Sequence, residues 1–231
     1  MVVVHGSRRT PEKYRDLLAD FAEQQGVVVL CPLFPVGIPV PEETGGYKFL
    51  DQMGVRYDRV LLAMVEEAGA RLAIDPQRFF LHGFSGGGQF AHRFLYLYPE
   101  RLAGLSVGAP GLVTVPDEHQ AWWTGIGDIE KVFGIKVDFD TIRGVPVQLI
   151  VGEEDRERDE ITLTKENRYW MPGANDAGQD RVERCQRLAQ ALQAKGVAVQ
   201  LDVVPGIAHQ GFDLLPRITA FFKEILSGRA L

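Results

Sequence analysis

The chain has 231 residues, 45% of them hydrophobic and 24% charged, and its formal charge of −6 reflects 31 Asp and Glu against 25 Lys and Arg. So ordinary a composition excludes disordered, collagen-like and coiled-coil classes, and the length suffices for one sizeable core. The acidic balance, without a Lys/Arg cluster, argues against the phosphate neutralisation that nucleic-acid binding needs, and no apolar run approaches the ~20 residues that cross a bilayer.

Along the chain, short β-branched runs alternate with amphipathic stretches, the pattern of βα units around a mostly parallel sheet. Val2–Val4 predicts the first strand, and the apolar opening is too short for a signal peptide, which points to a cytoplasmic protein. A helix follows, with Thr10 as cap, Pro11 in its first turn and Gly26 where a left-handed C-terminal residue is wanted. Further strands are predicted at Val27–Cys31, Arg78–His82, Leu102–Val107, Val145–Val151 and Val197–Val203, and their near-continuous apolar character fits burial on both faces.

After His82, Gly83-Phe84-Ser85-Gly86-Gly87-Gly88 runs into Phe90, Phe94 and Leu97 at helical spacing, which reads as strand, tight turn and helix. The pattern weakens between Gly111 and Gly144, predicting an insertion over the sheet, and weakens again from Glu153 to Gln179. Asp180 to Lys195 places Val182, Cys185, Leu188, Ala189 and Leu192 on one helical face, and Leu214, Ile218, Phe221 and Ile225 do the same near the end. With no repeat and no Pro/Gly/Ser linker, residues 1–231 are expected to form a single domain. The only cysteines, Cys31 and Cys185, suggest neither a disulfide framework nor a zinc site.

Gly83-Phe84-Ser85-Gly86-Gly87 carries the strongest chemical signal. A nucleophilic serine must project from a strand end on a turn so sharp that only small residues fit beside it. With four serines and 25 glycines in the chain, the Gly-x-Ser-x-Gly pattern would arise by chance roughly 0.05 times. Serine needs a base, and elimination leaves His209: His82 and His92 sit on the strand and helix flanking Ser85, His5 ends the first strand, and His119 lies in the insertion. His209 follows the last strand, in a loop able to reach the C-terminal sheet edge where open α/β folds build their sites. The orienting carboxylate is expected to be Asp155, at the end of Val145–Val151, with Glu154, Asp159 and Asp117 as rivals. Backbone N–H groups of Gly86 and Ser7 are expected to form the oxyanion hole.

Trp122, Trp123 and Trp170, with Tyr169 and Phe34, come from segments that should overhang the sheet edge, and they are candidates for a substrate pocket. Arg8 and Arg9, beside the oxyanion loop, could attract an acidic substrate group. A phosphate-binding reading of the glycine turn fails, because no Gly-Lys-Ser/Thr follows and Ser85 stands where Gly-x-Gly-x-x-Gly needs glycine.

The His5-Gly6 turn, the Ser85 elbow, the acid after the next-to-last strand and the histidine after the last one make the chain resemble the α/β-hydrolase superfamily. The resemblance spans nearly the whole chain and is nearest to compact serine esterases related to polyhydroxybutyrate depolymerases and feruloyl esterases. It implies an α/β-hydrolase fold of about six strands, with helices on both faces, and a cofactor-free, metal-free hydrolase acting on small or medium carboxylic esters. An acyltransferase, thioesterase or small peptidase could use the same triad, and a non-catalytic binding module is the reading from another class. The family's antiparallel hairpin before the first strand is absent here, so a homodimer contact or N-terminal residues beyond this chain are expected to cover the edge near Val27–Cys31.

Overall fold

A computed structural model describes residues 1–228. Strand β1 (Val2–Val4) leads into α1 (Pro11–Leu17) and α2 (Ala19–Gln25), and a small antiparallel pair, β2 (Asp51–Gln52) and β3 (Val55–Arg56), precedes α3 (Tyr57–Leu72). Strand β4 (Phe79–Phe84), α4 (Gly86–Leu97) and β5 (Leu102–Gly108) follow, then α5 (Ile129–Phe133) and α6 (Phe139–Ile142) within the insertion. Strand β6 (Val147–Gly152), α7 (Arg181–Ala194), β7 (Val199–Val204) and α8 (Leu215–Leu226) complete the order. The main sheet runs β1-β4-β5-β6-β7, and all its pairings are parallel.

Alternation along the strands splits the core in two. Val2, Val4, Leu81, Leu105 and Leu149 face α3 and α4, whereas Val3, Phe80 and Ile150 face α1, α2 and α8. α7 reaches both sides, Val182 and Cys185 on one and Leu188 and Leu192 on the other. Cys185 is fully buried, and burial pushes its thiol far above the usual range, so it packs as a small hydrophobe.

Three expectations change. Among the described residues the sheet has five strands: Val27–Cys31 lies alongside β1 but contributes only the bridge of Leu30 to Val2, with Val3 N–H donating to Leu30 O at 2.9 Å. β1 is three residues long, and Pro32 has no N–H to extend the ladder, so pairing stops there. The first helix is two, meeting at Leu18; Pro11 opens α1 and Gly26 ends α2 at φ 63°, but the Thr10 side chain makes no capping bond. α3, which the sequence reading does not single out, buries Tyr57, Leu61 and Val65.

The strands also carry a buried polar ladder. Ser106 Oγ donates to Gln148 Oε1 at 2.8 Å, and Gln148 Nε2 donates to Asp202 Oδ2 at 2.6 Å. His82 Nδ1 lies 3.1 Å from Ser106 O. β7 forms the sheet edge and is half-exposed rather than buried on both faces, so Gln200 and Asp202 are tolerated there.

Three histidines are held neutral by these surroundings. His92 Nδ1 donates to Gly88 O at 2.8 Å while Nε2 accepts from Thr114 N–H at 2.9 Å. His5 Nδ1 donates to Gly6 O, and Nε2 accepts from Phe34 N–H. Burial lowers His5, takes His82 to about 4, and with help from Arg93 takes His92 to about 3. Above pH 6.5 both folded and unfolded forms are neutral and the fold has its full stability. As pH falls below 6.5 the unfolded imidazoles bind protons that the folded ones refuse, so stability drops by about 1.4 kcal/mol per pH unit for each of His82 and His92, and His5 adds in the same direction. Urea midpoints should therefore fall steeply from pH 6.5 to 4.5, before most carboxylates titrate, and His92→Asn should flatten that slope by about one third to one half. A flat profile would contradict it.

Candidate active site

Ser85 stands between β4 and α4 with φ 56° and ψ −112°, a sparsely populated conformation for a residue with a side chain. The turn that imposes it is sterically closed. A methyl at Gly83 would strike the Gly87 carbonyl, and one at Gly87 would strike the Val4 carbonyl, so both positions demand glycine. Ser85 N–H donates to Gly108 O at 2.8 Å, which ties the elbow to β5. The residue is partly exposed at the head of α4, where the helix dipole favours negative charge.

His209 arrives from the loop after β7. Glu153 N–H donates to Val204 O and Glu154 N–H to Ile207 O, at 2.9 and 3.0 Å, so this loop is laced to the end of β6. Gly152 permits the approach, since a Cβ there would overlap the Ile207 and Ala208 carbonyls. The imidazole lies against the Phe84 ring, centroids 4.7 Å apart. Its Nε2 sits 3.0 Å from Ser85 Oγ, and its Nδ1 sits 2.5 Å from Asp155 Oδ2. A carboxylate facing Nδ1 places the proton there and leaves Nε2 free to accept from the serine hydroxyl.

Asp155 is buried, while its rivals Glu154 and Asp159 are exposed and Asp117 accepts from His119 N–H in the insertion. The other Asp155 oxygen accepts from Arg181 Nη1 at 3.2 Å, and Arg181 Nη2 continues to the exposed Glu160 at 2.9 Å. Arg181 escaped the sequence reading. It opens α7, and no local signal links a first-turn arginine to an aspartate 26 residues earlier.

The β1 loop also comes up to Ser85, since a Cβ at Gly6 would lie 3.2 Å from the Phe84 carbonyl oxygen and 3.4 Å from the Ser85 Cβ. Ser7 is exposed on that loop, and its carbonyl accepts from Arg9. Gly86 is the first residue of α4, so its N–H has no partner within the helix. Arg9 is not free to attract a substrate. Its guanidinium donates to the carbonyls of Phe34, Ser7 and Thr44, while Arg8 remains exposed.

A 3-10 turn, Gly46–Phe49, lies over the elbow. Tyr47 donates to His5 O at 3.1 Å, and the Tyr47 hydroxyl and Lys48 Cε occupy the space a side chain at Gly86 would take. Neither was legible in the sequence, because that stretch has no periodic pattern.

Of the three tryptophans, Trp123 is only 6% exposed, in a cluster with Phe49, Leu112 and Ala174, and its Nε1 donates to Tyr169 O. Trp122 packs edge-on against Phe133. Trp170 is partly buried at the rim of the Trp123 cluster. Phe34 is also core, stacked between Tyr47 and Phe90. A cavity of about 210 Å³ lined by Val27, Ile74, Phe79 and Ala103 lies at the starting ends of the strands, away from Ser85. Among the described residues no cluster of His, Cys, Asp and Glu is arranged to hold a metal, and no helix is long and apolar enough to cross a membrane.

No protein-family model matches the sequence, and no curated protein matches it. Solved structures do. The poly(3-hydroxybutyrate) depolymerase LpqC from Bordetella parapertussis superposes with a TM-score of 0.75 at 22% identity, over 100% of this chain and 79% of its own. Poly(aspartic acid) hydrolase-1 from Sphingomonas sp. KT-1 gives 0.75 at 21% identity, covering 95% of this chain and 85% of its own. The esterase PE8 gives 0.56 at 19% identity, over 97% and 91%. The chain has the α/β-hydrolase fold, and esterase-type hydrolases are among its structural neighbours.

Proposed function

We propose that this α/β-hydrolase-fold chain is a serine hydrolase that cleaves small or medium carboxylic esters through an acyl-enzyme. The observation that carries the reading is the hydrogen-bonded line from Ser85 through His209 to Asp155, at 3.0 and 2.5 Å. Ser85 Oγ attacks the ester carbonyl and forms a C–O bond as its proton passes to His209 Nε2. The carbonyl oxygen becomes an anion facing the N–H groups of Gly86 and Ser7, each such donor being worth about 10²–10³ in rate. Collapse expels the alcohol, which takes the proton from Nε2. Water then attacks the acyl-enzyme, again losing a proton to Nε2, and the acid leaves as Ser85 regains its hydrogen. Asp155 holds the tautomer and stabilises the imidazolium that forms.

The preference for small or medium esters is supported by the packing of the aromatic residues. Phe49 stacks on Tyr169 at 4.3 Å and meets Trp123 at 5.6 Å, so the aromatic cluster beside the site is filled by its own rings.

A fluorophosphonate probe tests the reading, with 4-nitrophenyl acetate, butyrate and octanoate turned over on the same sample. The expected result is one adduct per chain, on Ser85, with octanoate at least tenfold slower than butyrate. A folded sample with neither adduct nor turnover would overturn the reading in favour of a binding module.

A further inference from the structure

Lys48 crosses the elbow with no counter-ion. Its Cε lies 2.9 Å from where a Cβ at Gly86 would be, and its Nζ lies 3.5 Å from the same position at Gly45, so the half-buried chain spans the two glycines. No carboxylate comes within ion-pair distance of its ammonium among the described residues. The nearest acid, Glu43, is buried and already saturated by Gly45 N–H, Arg168 and the Tyr169 hydroxyl. Burial, then the charges of Arg9 and Arg93, hold Lys48 below the usual lysine range, with Glu43 pulling the other way.

Arg93 adds a second uncompensated cation, bonded to the Lys48 backbone carbonyl. It is fully buried, donates through Nη1 to Lys48 O at 2.6 Å and through Nε to Thr114 Oγ1 at 2.8 Å, and lies 4.5 Å from the Phe49 ring centroid. Rings and neutral oxygens solvate this guanidinium but do not neutralise it, and its Nη2 has no acceptor. Burial lowers it to about 9. Two cations held together without an anion cost stability, and a ligand that supplies the missing negative charge would recover part of it.

We propose that Lys48, backed by Arg93, forms an anion subsite beside the oxyanion hole, and that the preferred substrates are esters carrying a carboxylate within a few bonds of the scissile carbonyl. The subsite rests on the serine-hydrolase reading and names its substrate class. Lys48 touches the substrate carboxylate, whereas Arg93 is a positioning residue that holds the Lys48 backbone and adds its field. A charge-assisted bond to a partly desolvated ammonium is of the size needed for tenfold or greater discrimination.

Matched ester pairs followed by pH-stat test this on the intact protein. Monoethyl glutarate against ethyl pentanoate puts the carboxylate on the acyl side, and 3-butyryloxybutanoate against sec-butyl butyrate puts it on the alcohol side. In at least one pair the acidic ester should have the higher kcat/KM, by tenfold or more, with a KM that rises with salt. Lys48→Met should lower that acidic-to-neutral ratio at least tenfold, and Lys48→Arg should keep most of it. The ratio is internal to each variant, so partial misfolding does not move it. Ratios at or below one in both pairs, with Ser85 labelled and neutral esters cleaved, would overturn the subsite alone, as would an unchanged ratio in Lys48→Met. Failure of Ser85 to label and of every ester to turn over would remove the serine-hydrolase reading and the subsite with it.

Discussion

Replacing Ser85 by alanine is expected to lower kcat on 4-nitrophenyl butyrate by about 10⁴-fold or more, to abolish fluorophosphonate labelling, and to leave the urea midpoint unchanged or raised. The residual rate is what the oxyanion donors and substrate binding supply once the nucleophile is gone. Stability should not suffer, because among the described residues Ser85 Oγ bonds only to His209, and the elbow is fixed by backbone contacts of Gly83, Gly87 and the Ser85 N–H. Turnover within tenfold of the parent would show that another residue is the nucleophile.

Asp155→Asn is expected to cost about 10³–10⁴ in kcat, with KM little changed, because an amide nitrogen facing Nδ1 favours the wrong imidazole tautomer. Here the substitution has a second effect. Asp155 is the buried anion that pairs with Arg181, and the amide would leave that guanidinium with only the exposed Glu160. Losing one partner of a buried pair costs about 3–5 kcal/mol, so Asp155→Asn should also lower the urea midpoint, which Ser85→Ala should not. Equal stability of the two variants would show that Arg181 does not depend on Asp155.

Much of this site was legible before the fold was known, for local reasons. The Ser85 turn is written in consecutive residues, since only small neighbours let a side chain project from so tight a bend. His209 and Asp155 could be chosen because chain order and strand ends restrict which side chains reach one sheet edge. The helical faces of α4, α7 and α8 were readable as periodic runs, and the interruption at Leu18 was not, because nothing in the Thr10 to Gly26 pattern marks it. Val27–Cys31 has the composition of a strand, but a ladder needs a partner of matching length, and β1 offers three residues.

By itself, then, the sequence determined the fold class, the sharp turn at Ser85 and the short list of bases and acids, all properties of neighbouring residues or of their order along the chain. Tertiary structure alone decided which acid meets His209, that Gly152 lets the histidine loop close on β6, and that Arg181 lies behind Asp155. It also placed Trp123 in a packed cluster, engaged Arg9 with three carbonyls, and laid Lys48 across Gly86 with its carbonyl bonded to Arg93. The physical reason is common to these cases: burial and charge pairing depend on groups distant in sequence, and no local pattern records how closely two such segments will approach.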